Sequence, residues 1–85
     1  MGKILVYGTK WCPDCIRGKQ VLQRNNIEYT WFDIEDDEQA CTLVEKINGG
    51  YKSVPTIVFP DGTVLVEPGN SDLQKKIDEL KLSSA

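Results

Sequence analysis

Trp11-Cys12-Pro13-Asp14-Cys15 places two thiols two residues apart, just beyond the apolar run Ile4-Leu5-Val6-Tyr7 and the breaker Gly8. Sulfurs at that spacing meet only if the backbone between them is tightly turned, and the first turn of an α-helix supplies the turn. Cys12 is therefore expected at a helix start, where unpaired N–H groups and the positive end of the helix dipole favour a thiolate. Pro13 suits the first helical position, since the N–H it lacks has no helical partner there. Asp14 pulls two ways: its charge favours the helix start and opposes a second negative charge on Cys12. Cys15, one turn deeper, is the natural second thiol, able to attack a mixed disulfide formed on Cys12. A zinc site needs four ligands, and three cysteines without a histidine would require Cys41 plus a carboxylate or a second chain, so no metal is expected. A structural disulfide closing so small a ring would constrain the unfolded chain very little. Thiol–disulfide exchange is the chemistry this spacing favours.

The 85 residues are read as one domain, 1–85, small enough for only a thin core. Hydrophobic residues make up 40% and charged residues 27%, with both signs mixed along the chain, the composition of an ordinary globule. A net charge of −3 and the lack of any Lys/Arg run argue against nucleic acid as a partner. The early apolar run is too short for a signal-peptide core or a membrane span, so a cytoplasmic protein without a membrane partner is expected. In a reducing compartment a C-x-x-C pair points to catalysis more than to architecture.

Ile4 to Tyr7 has the continuous apolar character of a strand buried on both faces. From Pro13 to about Arg24 the pattern is helical, with Cys15, Lys19 and Leu22 on one face and Asn25-Asn26 placed to end the helix. Gly18 inside it suggests close packing against a neighbour. Tyr29 to Ile34, rich in aromatic and β-branched residues, is a second strand, and the βαβ unit makes the first two strands parallel. The acidic cluster Asp33-Glu35-Asp36-Asp37-Glu38 is expected to be a solvated cap for a second helix, whose buried stripe is Ala40, Leu43, Val44 and Ile47. Cys41, beside that stripe, is read as a small half-buried core residue. Val54 to Phe59 and Val64 to Val66, joined by Pro60-Asp61-Gly62, form an antiparallel hairpin. A last helix opens with the capping-box pattern Ser71-Asp72-Leu73-Gln74 and buries Leu73, Ile77 and Leu80, and the final residues are expected to fray.

This order, β-α-β-α-β-β-α with C-x-x-C after the first strand and Val54-Pro55-Thr56 opening the third, resembles the glutaredoxins, small members of the thioredoxin superfamily. The resemblance covers nearly the whole chain. Trp11-Cys12, Asn48-Gly49-Gly50, Val54-Pro55-Thr56, and Asp61-Gly62 followed by Glu67-Pro68 are most similar to the mycoredoxin-like bacterial redoxins. The resemblance implies an α/β thioredoxin-like fold, a four-stranded mixed sheet flanked by three helices. It implies Cys12 as nucleophile, Cys15 as resolving thiol, a cis bond before Pro55, and a Val54 backbone turned toward the Cys12 sulfur. Trp11, Lys10 and Lys52 would border the substrate, the two lysines meeting its carboxylates, and Pro13 and Asp14 would tune the nucleophile. Glutaredoxins commonly carry Gly-Gly before the last helix; here Pro68-Gly69 leads into Asn70-Ser71-Asp72, which would form only part of the small-thiol cradle.

The activity so implied is that of a thiol–disulfide oxidoreductase acting on protein disulfides or on mixed disulfides with a low-molecular-weight thiol. No tightly bound cofactor is expected; glutathione, mycothiol or a similar thiol is the co-substrate. Disulfide-containing or thiolated proteins are the expected partners of a monomer, with reducing equivalents from a thiol or thioredoxin-type reductase system. A redoxin fed by thioredoxin reductase and serving ribonucleotide reductase or a peroxidase is the alternative with the same chemistry. An iron–sulfur cluster carrier is the alternative of another class, and Pro13 argues against it because cluster-binding relatives usually lack proline there.

Overall fold

Ile4–Gly8 forms β1, whose unbroken apolar character matches its place inside the sheet. The computed structural model describes residues 3–80, so the expected fraying of the final residues lies outside it. Along the chain follow α1 (Pro13–Arg24), β2 (Tyr29–Asp33), α2 (Glu38–Ile47), β3 (Thr56–Val58), β4 (Val64–Val66) and α3 (Asn70–Leu80). The strand order is β2-β1-β3-β4. β1 and β2 run parallel, from Ile4 opposite Tyr29 to Gly8 opposite Asp33. β3 is antiparallel to both β1 and β4. The predicted mixed sheet and its three helices are all present.

Side chains alternate across a strand, and this sorts the core into two layers. Ile4 and Val6 face Val21 and Leu22 of α1 and Leu73 and Ile77 of α3, with Ile57 and Phe59 between them. Tyr7 faces the other way and packs with Ile34, Ala40 and Val44, its ring stacked on Phe32 at 4.8 Å. Helices α1 and α3 thus cover one face and α2 alone covers the other. A single covering helix explains why the predicted α2 stripe is only half buried: Ala40 and Val44 are enclosed, whereas Leu43 and Ile47 remain 39% and 37% exposed.

The bounds of β3 and α3 differ from expectation, each for a local reason. The Val54–Phe59 run pairs only over Thr56–Val58, after a cis Val54–Pro55 bond and before the hairpin turn. That turn closes as predicted: the Gly62 N–H donates to the Phe59 carbonyl (2.9 Å), Gly62 takes φ +88°, and Asp61 accepts the Thr63 N–H (3.0 Å). The third helix starts at Asn70, with the Leu73 N–H donating to the Gly69 carbonyl (3.0 Å), so Ser71 lies inside the first turn and not at its cap. At the end of α1, Asn26 adopts the left-handed conformation (φ +56°) expected of the Asn25-Asn26 pair.

Gly18 is buried against Ile57 and Leu73, yet a Cβ there would stand 3.9 Å from the nearest atoms of both, an ordinary contact. Close approach is therefore not what keeps it glycine. Gly18→Ala is expected to stabilise the protein by about 0.5–1 kcal/mol, because alanine loses less backbone entropy in a helix. Thermal unfolding should then rise by roughly 4–8 °C per kcal/mol for a domain of this size, and a lowered midpoint would contradict the contact geometry.

Candidate active site

The two thiols sit where β1 ends and α1 begins. Cys12 is the residue capping α1, in extended conformation, and its Sγ accepts the backbone N–H of Cys15 at 3.2 Å. Pro13 is the first helical residue and supplies no donor that would compete for the cap. The N–H dipoles of the first turn thus point toward the Cys12 sulfur. Its S–H lies 4.0 Å from the Val54 carbonyl, just before cis Pro55, as the resemblance implies.

Cys15 lies beneath, with no exposed surface. Burial first, then hydrogen bonding and charge from Cys12, push its thiol up to about 12, while the Thr9 backbone and Lys19 pull it down. The two sulfurs therefore differ: Cys12 caps the helix and is 6% exposed, next in the chain to cavity-lining Trp11, whereas Cys15 is fully enclosed and holds its proton. Asp14 pairs with Arg17 one turn along, so its charge is partly compensated before it acts on Cys12.

The acidic cluster does more than cap α2. Asp37 takes the cap, accepting the Ala40 N–H at 3.1 Å. Glu35 accepts the Trp11 indole N–H at 3.0 Å. Lys10 lies 3.4 Å from Asp36 and 3.9 Å from Asp33, so its charge is shared with the protein's own carboxylates instead of standing free for a substrate. These contacts tie the loop before the dithiol to the loop after β2.

A cavity of about 520 Å³ opens beside the dithiol, lined by Thr9, Trp11, Ile34, Glu35, Cys41, Lys52 and Val54. Trp11, 68% exposed, stands at its edge, and Lys52 is its cation. Cys41 contributes to its wall as well as packing on the α2 core, with its S–H 3.7 Å from Glu45. Of the predicted residues, Trp11, Lys52 and Val54 line this cavity and the Val54 carbonyl lies by Cys12, with Pro55 next in the chain, whereas Lys10 is drawn to Asp33 and Asp36. Asn70, Ser71 and Asp72 lie exposed on the first turn of α3, and Asp72 lines a separate hollow with Val66, Pro68 and Lys75.

Sequence reasoning missed four residues at the site. Glu35 stands in the sequence as one acid of a solvated cluster, with nothing to mark its bond to Trp11. Thr9, buried with its hydroxyl unpartnered, carries no motif signal. Gly8 was read as a strand breaker, but a Cβ there would lie 2.5 Å from Cys15 Sγ and 2.9 Å from Trp31 Cη2. Trp31 was read as a strand residue, and it also holds the Lys19 ammonium 3.9 Å from its ring centre. The spacing of Cys15 and Lys19 by four residues was the one available signal for the last pair.

A dithiol at the carboxyl end of a parallel strand, one sulfur at a helix cap and the other buried beneath it, defines a thioredoxin-like thiol–disulfide oxidoreductase. The glutaredoxin family model matches residues 4–65. A Mycobacterium tuberculosis protein whose name places it among the glutaredoxins is 38% identical over 74 residues, 87% of this chain and 88% of that one. Mycoredoxin 1 of Corynebacterium glutamicum is 33% identical over 81 residues, 94% of this chain and 99% of that one. Among solved structures, the thioredoxin-like protein BC3987 superposes with a TM-score of 0.71 at 35% identity, covering 92% of this chain and 99% of that one. The chain belongs to the glutaredoxin family.

Proposed function

We propose that Cys12 is the attacking thiol and Cys15 the resolving thiol of a single-domain, monomeric cytoplasmic enzyme that reduces thiolated proteins at the expense of a low-molecular-weight thiol. The observation that carries the assignment is the asymmetry of the pair: Cys12 Sγ accepts the Cys15 N–H at the cap of α1, while Cys15 is enclosed. Cys12 attacks the sulfur of a mixed disulfide, and either a second small thiol or Cys15 then attacks Cys12 and releases the fragment. Trp11, Lys52, Val54 and Pro55 border the bound thiol. The first turn of α3, Asn70 to Asp72, is reached only by a thiol long enough to extend beyond the cavity.

The finer reading is that this thiol is of the mycothiol type, uncharged and rich in hydroxyls, and not glutathione. The cavity lining carries one carboxylate, Glu35, against one lysine, Lys52, and the nearby Lys10 is already engaged by Asp33 and Asp36, so little positive charge is left for an anionic ligand. A ligand bringing two more carboxylates meets unfavourable charge on the order of 1 kcal/mol per contact in water-like screening, more where the site is dry. The similarity to mycoredoxin 1 supports the same choice. The test supplies the oxidised protein with NADPH and, in turn, mycothiol with its reductase, glutathione with its reductase, and thioredoxin reductase alone. Mycothiol is expected to give a several-fold lower KM than glutathione. Equal or better use of glutathione would overturn the charge reading, and reduction by thioredoxin reductase alone would favour a redoxin with protein partners only.

A further inference from the structure

Resolution requires Cys15 to lose its proton inside the protein, and nothing near it is an obvious base. The chain contains no histidine. Among the described residues the groups acting on Cys15 are Cys12 on the same turn, the backbone of Thr9, and Lys19 one turn further along α1; none is a carboxylate. Lys19 is the one cation of the set. Four residues separate it from Cys15, which puts both on one face of α1.

Lys19 is held there by an aromatic ring and not by an acid. Its ammonium lies 3.9 Å from the Trp31 ring centre, a cation–π contact. Among the described residues it forms no ion pair. The edge of the same ring and the Cys15 sulfur both come within 3 Å of the point where a Cβ on Gly8 would stand, so ring and sulfur share one enclosure over Gly8. A carboxylate partner would cancel the lysine's charge, whereas an indole positions it and leaves it whole. Lys19 is itself partly exposed, but Cys15 has no exposed surface, so the charge is less screened toward the sulfur than toward solvent.

We propose that Lys19, seated on Trp31, is a positioning residue that stabilises the negative charge developing on Cys15 as it resolves the mixed disulfide. This rests on the assignment of Cys12 as attacking and Cys15 as resolving thiol. The step balances: Cys15 Sγ bonds to Cys12 Sγ, the Cys12–S–S–R bond breaks, RS⁻ departs with the bonding pair and takes up the proton that Cys15 gave up. The two cysteines are oxidised to a disulfide, and the thiol fragment is reduced. Gly8 provides the space, Trp31 the seat and Lys19 the charge.

The test separates the two steps with one neutral probe, bis(2-hydroxyethyl) disulfide, by rapid alkylation quench and mass spectrometry of the intact protein. Appearance of the adduct on Cys12 reports attack, and its conversion to the Cys12–Cys15 disulfide reports resolution. Lys19→Met keeps the aliphatic stem on the indole and removes the charge. It is expected to leave attack unchanged, slow resolution about three- to tenfold and move the pH midpoint of resolution upward, with Lys19→Arg restoring both. Resolution at the unaltered rate in Lys19→Met would overturn the inference, as would an arginine variant as slow as the methionine one, which would make packing the cause. If the unsubstituted protein forms the adduct and never converts it, the assignment of Cys15 itself fails, an outcome distinct from a null effect at Lys19.

Discussion

Cys12→Ser is expected to abolish turnover of mixed disulfides, while Cys15→Ser retains much of it whenever a small thiol is present in excess. The asymmetry follows from position. Cys12 is the sulfur at the helix cap, bonded by the Cys15 N–H and placed beside Val54 and the cavity. A serine there has the cap geometry but no usable nucleophile at neutral pH, so the loss should reach the background rate of uncatalysed exchange. Cys15 has no exposed surface, so under the proposed assignment a substrate reaches Cys12 first. Its removal stops only the internal release, which an external thiol can replace. The check is a coupled assay of both variants on a small mixed disulfide and on a protein client. Complete loss in Cys15→Ser on the small substrate would show that every turnover passes through the internal disulfide.

Gly8→Ala is expected to be the most destabilising single-methyl change near the site. The added Cβ would stand 2.5 Å from Cys15 Sγ and 2.9 Å from Trp31 Cη2, distances that no side chain tolerates without movement. Neither neighbour is a flexible surface group: Cys15 is fully enclosed, and Trp31 packs against the core cluster beneath α1 and α3. Overpacking of this kind costs about 1–3 kcal/mol, which for so small a domain lowers the unfolding midpoint by roughly 4–8 °C per kcal/mol. The partner in the clash can be identified by a double-mutant cycle, since Cys15→Ala removes the nearer atom and should recover part of the loss. An unchanged midpoint in Gly8→Ala would mean that the β1–α1 junction yields more easily than its burial implies.

How much of this was legible before any coordinates depends on whether the information was local. The Cys12 cap, Pro13 at the helix start, the Asn26 stop and the Pro60-Asp61-Gly62 turn all depend on short-range backbone chemistry, and each appears where the residues place it. The four strands and three helices followed from periodicity and turn residues, with errors of a few residues at their ends. What could not be read were contacts across the sheet. Glu35 with Trp11 spans 24 positions and Lys10 with Asp36 spans 26, and no pattern within either segment marks its partner. The resemblance assigns Lys10 to a substrate's carboxylates, and the acids that engage it come instead from the end of β2 and the loop after it. The α2 stripe failed for a related reason: an apolar face predicts burial only if there is enough sheet to cover it, and Leu43 and Ile47 overreach. Gly8 is the opposite case, a residue whose meaning lies wholly in what leans over it.

The coupling between the two sulfurs also sets a clock. While Cys12 bears negative charge, that charge adds to enclosure in holding the proton on Cys15. When Cys12 becomes bonded to an incoming sulfur, its charge disappears and one of the restraints on Cys15 goes with it. Under the proposed assignment the second sulfur is armed by the capture of a substrate and keeps its proton between captures. Timing of this kind needs no hinge, lid or moving helix; a change of charge across one turn of backbone is the whole device.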